Sequence, residues 1–138
     1  MGTRSLTKVF DEQGDMVVNM YRQFDGYPSG HGKELHAFLD DRDIVNGFNP
    51  GMDGKKVSNG MSDLAAQLAW WFKQDSLLGG IYLEPTKHGD HGQDYEYHIR
   101  ITAQLLQVTV YRGEYRSGKK PLFQGDVDDF GAFCAKEE

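Results

Sequence analysis

The stretch YEYHIRITAQLLQVTVYRGEY, residues 95–115, decides the fold class of this chain. In its first half, tyrosine and isoleucine at odd positions alternate with polar residues at even positions. In its second half, Leu106, Val108 and Val110 continue the alternation. A period of two residues is typical of a strand with one buried face, so the stretch predicts two half-buried β-strands, 95–102 and 105–115.

A second hairpin and two helices complete the main pattern. Residues 3–10 and 16–23 predict paired strands, because the polar segment between them contains Gly14, which suits a tight turn. Apolar residues at helical spacing predict the two main helices, and shorter patterns predict further elements. The predicted helices are 32–41 and 62–75; the shorter elements are a strand over 81–86, a strand over 121–126 and a terminal helix over 126–136. We expect one α+β domain over residues 1–138, a largely antiparallel sheet with two main helices packed on one face.

One long segment lacks a regular pattern. Residues 43–60 hold four glycines and a proline. Long loops inside compact domains often serve as lids or binding loops. We therefore predict a loop with a functional role over this segment.

The composition limits the classes of partner and of cellular compartment that fit this chain. With 15 basic and 21 acidic residues the net charge is −6, which argues against a non-specific nucleic-acid binder. The single cysteine, Cys134, excludes an internal disulfide and fits a reducing compartment. No apolar run approaches the roughly 20 residues that span a bilayer, and residues 1–12 lack the apolar core of a signal peptide. We expect a protein of the cytoplasm of a bacterial host, with neither a membrane nor a nucleic acid as partner.

A basic segment interrupts this acidic chain. Between Arg112 and Lys120, four basic residues stand against the single acidic residue Glu114. Its simplest interpretation is the solvated tip of a hairpin. A role in binding an anion is the alternative, and Arg112 is the residue of this segment that we assign to it.

The loop QFDGYPSGHG, residues 23–32, is the candidate functional site. It follows a predicted strand and opens a predicted helix, where unpaired backbone N–H groups and the helix dipole favour an anion. Gly30 and Gly32 lack the side chains that would keep a phosphate from the backbone. A tight structural turn explains the same residues equally well, with Gly26 and Pro28 shaping it and Ser29 capping the helix. The predicted ligand-binding residues are Gln23, Asp25, Gly26, Tyr27, Ser29, Gly30, His31, Gly32 and Arg112.

The same residues carry a family resemblance. The N-terminal MGTR and the loop Gln23-x-Asp25-Gly26-Tyr27-Pro28-x-Gly30-x-Gly32 resemble a family of small, uncharacterised bacterial and phage proteins. The resemblance covers roughly the first 40 residues. It implies a shared fold, a shared site and a phage or a phage-bearing bacterium as the source, and it implies no activity.

Catalytic and metal-binding patterns are weaker. The segment KHGDHGQD brings His88, Asp90, His91 and Asp94 together, with His98 nearby, and these residue types can bind zinc. Their spacing matches no standard metal motif, and a solvated loop is the favoured interpretation, so we assign no metal and no cofactor. No nucleophile, base and orienting residue can be named together, so we assign no catalytic residues.

Two functional hypotheses follow. In the first, a phage protein binds a nucleotide-derived immune signal of its host, a cyclic ADP-ribose-type molecule or a cyclic dinucleotide, and sequesters it without catalysis. The immune-signal step rests on analogy with phage proteins that act in this anti-defence role. In the second, the protein is a small hydrolase that acts on a nucleotide-like substrate through Asp25 and His31 or through the His88–His91 cluster.

The tryptophans predict self-association. Trp70 and Trp71 are adjacent on one helix and cannot share a face. If Trp71 joins the core, Trp70 points away from it, as a protein interface, as a platform for stacking a base, or simply as the shoulder of a wide apolar stripe. We expect a homodimer or a larger closed homo-oligomer.

Overall fold

The computed structural model describes residues 2–47 and 56–137. Their main feature is a six-stranded sheet in the order β5-β2-β1-β6-β7-β8, accompanied by a separate two-stranded sheet of β3 and β4. The strands are β1 Ser5–Phe10, β2 Met16–Arg22, β3 Asp43–Val45, β4 Val57–Asn59, β5 Ile81–Leu83, β6 Tyr95–Thr102, β7 Leu105–Arg112 and β8 Phe123–Asp126. The helices are α1 Lys33–Leu39, α2 Gly60–Lys73 and α3 Val127–Lys136, and a π-helical turn over Pro28–Gly32 leads into α1.

Both predicted hairpins are confirmed. Strands β1 and β2 pair antiparallel, and their turn is held by Asp11, whose side chain accepts from the backbone N–H groups of Gln13 and Asp15 at 2.9 Å each. Gly14 adopts a φ of +89° there, which a residue with a side chain rarely does. Strands β6 and β7 also pair antiparallel, as the alternation of residues 95–115 predicts.

The centre of the sheet is a parallel pair. Strand β1 lies beside β6 with Thr7 opposite Tyr97 and Val9 opposite Ile99. Every other neighbour in this sheet is antiparallel, so the largely antiparallel α+β prediction is confirmed. The parallel pair arises because the chain leaves the first hairpin and returns only after the first two helices and β5.

Helices cover one face of the sheet and enclose the core. Helix α2 packs against β1 and β2, and α3 packs against β7 and β8. Apolar side chains from this face meet those of the helices in one cluster. Its members include Val9, Met20, Leu35, Leu64, Leu68, Tyr97, Ile99, Val108, Val110 and Phe130. Trp71 packs on this cluster while Trp70 stays two-thirds exposed, as the helical spacing predicts.

Part of the opposite face of the sheet is also buried, and there the prediction of half-buried strands is corrected, whereas Arg100 and Thr102 on the same side of β6 are exposed. Glu96 is fully buried and His98 nearly so, although the alternation of β6 places both on the polar side. The loop 84–94 and the loop 113–122 close over this face. A pattern of alternation reports which residues share a face, but not whether a loop from elsewhere in the chain covers that face.

The segment predicted as a long loop holds regular structure at both ends. Strands β3 and β4 pair in parallel within it, with Ile44 opposite Ser58. The middle of the predicted loop, residues 48–55, lies outside the described residues. In the part of the chain that the structure describes, no helix is both long and apolar enough to cross a bilayer.

Candidate functional site

The glycine loop, residues 23–32, closes on itself through its own backbone. The N–H of His31 donates to the carbonyl of Asp25 at 2.8 Å, and the N–H of Gly30 donates to the carbonyl of Tyr27 at 2.9 Å. The N–H of Gly26 donates at 2.9 Å to Thr3, the residue that leads into β1. Asp25 adopts a φ of +61°, which turns the chain at the start of the loop. These backbone donors are therefore already engaged inside the protein.

The glycines of the loop make room for protein atoms. A Cβ on Gly30 would lie 2.7 Å from the carbonyl oxygen of Asp25, and one on Gly32 would lie 2.6 Å from the Sγ of Cys134. A Cβ on Gly26 would lie 2.8 Å from the Cβ of Ser5. Such distances are too short for any side chain. The expectation that Gly30 and Gly32 keep space open for a ligand gains no support from this packing.

His31 lies in the interior and is fully buried. Its Nε2 is 2.6 Å from the Oγ1 of Thr7, and its Nδ1 is 3.3 Å from the Nη1 of Arg22. Because a guanidinium only donates, Nδ1 is the acceptor and the imidazole carries its proton on Nε2. Burial, and then the charge of Arg22, lower the pKa of His31 to about 3. His31 is thus a neutral residue that holds Arg22, and the Asp25/His31 hydrolase hypothesis gains no support from its position.

Arg22, the last residue of β2, points into a cleft of about 290 Å³ beside the glycine loop. Its Nε donates to the carbonyl of Phe24 at 2.6 Å, and its Nη1 contacts Glu34 as well as His31. Its Nη2 makes no hydrogen bond with any of the described residues. We call this space the Arg22 cleft; its other lining residues include Glu34, Trp71, Phe72, Asp75 and Ser76.

The other predicted binding residues are divided between two places. Asp25 and Tyr27 are exposed at the loop, where the Tyr27 hydroxyl is 3.4 Å from Asp25 Oδ1, and Gln23, Ser29 and Gly30 are half-buried there. Gly26 and Gly32 are buried. Arg112 lies elsewhere, stacked on Tyr95 with its Nη2 3.2 Å from the hydroxyl.

The strand register shows how far apart the two arginines are. Arg22 pairs with Ser5, Ser5 with Tyr95 and Tyr95 with Arg112, so the arginines lie in one row but three strands apart. Sequence reasoning missed Arg22. Its position, as a cation that ends the strand directly before the glycine loop, was the available signal.

A second polar site lies on the sheet face opposite the helices, and we call it the Glu96 network. Glu96 accepts four hydrogen bonds. Their donors are Lys8 Nζ at 2.8 Å and His98 Nε2 at 2.9 Å to Oε1, and Gln93 Nε2 at 2.7 Å and the Tyr115 N–H at 2.8 Å to Oε2. Burial alone would raise the pKa of Glu96, but the hydrogen bonds from His98, Lys8 and the Tyr115 backbone outweigh it and lower the pKa to about 2.

The Glu96 network contains three potential metal ligands. The ligand atoms of His88, Glu96 and His98 lie within 4.8 Å of one another. The ammonium of Lys8, however, already contacts both Glu96 Oε1 and His88 Nδ1. A carboxylate offers about four lone-pair sites, and all those of Glu96 are in use. The lysine therefore takes the place that a metal ion would need.

The remaining residues of the predicted metal loop point elsewhere. Asp90 accepts from the N–H of Gly92, His91 lies 3.4 Å from Glu84, and Asp94 accepts from the N–H of Arg4. These contacts hold the loop 84–94 in shape. Of the five residues predicted from the sequence, the structure brings together only His88 and His98.

Comparison of the chain with protein-family models, with curated proteins and with solved structures found no match.

Proposed function

We propose that this protein binds a small anionic, nucleotide-like ligand in the Arg22 cleft and holds it without chemical change. The observation that carries the proposal is the guanidinium of Arg22, which lines a cleft with its Nη2 group unused by the described residues. Nη2 of Arg22 carries two N–H donors, and charge-assisted hydrogen bonds from arginine to phosphate oxygens are strong. The sequence suggests the glycine amides as the groups that bind an anion, and we assign this role to Arg22 instead.

The guanidinium of Arg22 is held in place before any ligand arrives. Phe24 holds its Nε, and His31 and Glu34 hold its Nη1. Its side chain is only 16% exposed. A group that is already fixed loses little conformational freedom on binding, and this favours affinity.

The rest of the Arg22 cleft suits a nucleoside. Trp71 and Phe72 supply aromatic surface, which can contact a planar base. The carboxylates of Glu34 and Asp75 can accept hydrogen bonds from ribose hydroxyls. Among the described residues that line the cleft, Ser76 offers a hydroxyl and no histidine accompanies it, so they contain no serine–histidine pair.

The size of the cleft limits the ligand. Its volume of about 290 Å³ is at the lower end of small-molecule sites, which run from roughly 300 to 1,000 Å³. A cyclic ADP-ribose-type molecule or a cyclic dinucleotide would extend out of one cleft, and a second copy of the chain would complete its site. We propose sequestration of such a nucleotide-derived signal in the cytoplasm of a phage-infected bacterium as the biological role.

The test separates binding from turnover. Purified protein is incubated with a panel containing cyclic ADP-ribose, ADP-ribose and cyclic dinucleotides, freed of unbound compounds and denatured. We expect one compound to be recovered intact by chromatography. Recovery of a reaction product would overturn the sequestration proposal in favour of an enzyme.

Two variants locate the site. Arg22→Lys removes the Nη2 donors, and we expect about ten- to a hundredfold weaker binding, from the roughly 1.5–3 kcal/mol of a charged hydrogen bond. Glu34→Gln removes the carboxylate that competes for Arg22, and we expect tighter binding. Arg42→Lys is the matched control, since Arg42 is a part-buried arginine that stacks on Phe38 at 4.0 Å and does not line the Arg22 cleft. Wild-type affinity in Arg22→Lys, or an equal loss in Arg42→Lys, would contradict the Arg22 cleft as the site.

A further inference from the structure

His88 lies over the buried end of Lys8, on the sheet face opposite the Arg22 cleft. The Nζ of Lys8 is 3.0 Å from the Nδ1 of His88 and 2.8 Å from the Oε1 of Glu96. An ammonium only donates hydrogen bonds, so Nδ1 of His88 must be the acceptor. The imidazole is therefore neutral and carries its proton on Nε2. Burial and the positive charge of Lys8 both lower the pKa of His88, which keeps it in this form.

The ring of His88 is fixed while one edge remains exposed. It stacks on His98 with the ring centres 5.8 Å apart and an angle of 18° between the planes, and it contacts Tyr115 at 4.8 Å. His88 is nevertheless exposed at the surface. The Nε2–H has no hydrogen-bond partner among the described residues. His88 thus presents one oriented donor to the solvent.

Two cations, Lys8 and Arg100, lie near this donor. Arg100 stacks on Phe10 at 3.7 Å, and its charge, like that of Lys8, acts on His88. Glu96 is the nearby negative group, but its oxygens are all occupied by donors. Besides burial, Lys8 and Arg100 lower the pKa of His88, and Glu96 raises it.

The basic segment of the sequence belongs to the same surface. Tyr115, which contacts His88, lies inside the segment 112–120. Lys119 is engaged by the carbonyls of Arg112 and Glu114, whereas the side chain of Arg116 is 79% exposed. Tyr115 thus connects this segment to His88, while the largely exposed Arg116 pairs with Glu114.

We propose that His88, Arg100 and the basic loop around Tyr115 form a second binding site, which takes an oxyanion such as the phosphate group of a small ligand. His88 donates from Nε2–H and Arg100 supplies charge and paired donors. The ring of Tyr115 contacts His88, and the ring of Tyr111 contacts Tyr115. Glu96 and Lys8 have a separate role in the interior, where they hold the loops 84–94 and 113–122 in place. That role does not require an exposed imidazole with a fixed tautomer.

The first measurement is the tautomer of His88 in the free protein. Long-range ¹H–¹⁵N spectra at pH 7.5 distinguish protonation at Nδ1, at Nε2 or at both. We expect the Nε2–H form. A charged imidazole or the Nδ1–H form would overturn the proposal before any ligand is added.

The second measurement is a titration with inorganic pyrophosphate, followed by the same spectra and by calorimetry. We expect the His88 resonances to shift with saturation, and His88→Phe, which keeps a ring but lacks the donor, to weaken binding about tenfold. Arg100→Gln is expected to weaken it similarly. His91→Phe, a histidine of the same loop that pairs with Glu84, is the control and should bind as wild type.

The outcomes separate this site from the Arg22 cleft. Pyrophosphate binding that is lost in Arg22→Lys but retained in His88→Phe would overturn the second site and leave the proposed function standing. Equal losses in His88→Phe and His91→Phe would overturn it as well, since they would show that the loss is not specific to the His88 donor. Loss in His88→Phe with Arg22→Lys unaffected supports it.

Discussion

Replacing Glu96 with glutamine should cost this protein a large part of its stability. The substitution leaves the charge of Lys8 buried without its partner, because both side chains are fully buried. Oε1 and Oε2 of Glu96 each accept two hydrogen bonds. In glutamine an N–H₂ group replaces one of these oxygens, and it faces two donors from which it cannot accept. Removing one partner of a buried ion pair costs about 3–5 kcal/mol. A domain of this size is stable by roughly 5–15 kcal/mol, so Glu96→Gln should fold but only marginally.

Urea unfolding at pH 7, followed by tryptophan fluorescence, measures this loss. The matched control is Glu114→Gln, which removes the acidic partner of the largely exposed Arg116 and should change the free energy of unfolding by less than about 1 kcal/mol. A second variant separates charge from packing. In Lys8→Met with Glu96→Leu, no buried charge remains, and we expect it to be more stable than Glu96→Gln. If the free energy of unfolding of Glu96→Gln lies within about 1 kcal/mol of the wild-type value, the argument from burial is wrong.

The same network predicts a loss of stability in acid. The pKa of Glu96 is about 2 in the folded chain against 4.5 for an ordinary glutamate. A lowered carboxyl pKa stabilises the fold above the unfolded value. Its contribution is therefore complete above pH 4.5 and is lost as the pH falls from 4.5 towards 2. Glu96→Gln should lack this part of the pH dependence.

Three further predictions follow from the site and the surface. His31 has a pKa of about 3 in the folded protein and an ordinary value of 6.5, so the unfolded state binds more protons between these pH values. The free energy of unfolding should therefore fall by up to about 1.4 kcal/mol per pH unit below 6.5. Urea titrations from pH 7.5 to 5 should show a flatter pH dependence in His31→Gln. Gly32→Ala places a Cβ against the Sγ of Cys134, and overpacking of this kind typically costs about 1–3 kcal/mol of stability. Adding Cys134→Ala should restore part of that stability. A double-mutant cycle in which the two effects are strictly additive would contradict the contact. The exposed Trp70 predicts self-association, and a light-scattering mass near 15.6 kDa at micromolar concentration would refute it.

The sequence by itself determined the types of the elements and the broad class of the fold. Alternation along residues 95–115 fixed two strands, and apolar spacing fixed the long helix, which runs over Gly60–Lys73. These signals are local, because a strand or a helix expresses its period within a few residues. The separation of Trp70 from Trp71 was predictable for the same reason.

Only the tertiary structure decided what surrounds each residue. The parallel pairing of β1 with β6 joins Lys8 to Glu96 across a separation of 88 residues, and no local period encodes such a contact. The covering of Glu96 and His98 depends on two loops that lie outside β6. The glycines of the loop 23–32 were identified correctly as unusual, yet a sequence cannot show whether the space beside a glycine will be filled by a ligand or, as at Gly32, by a cysteine more than one hundred residues away.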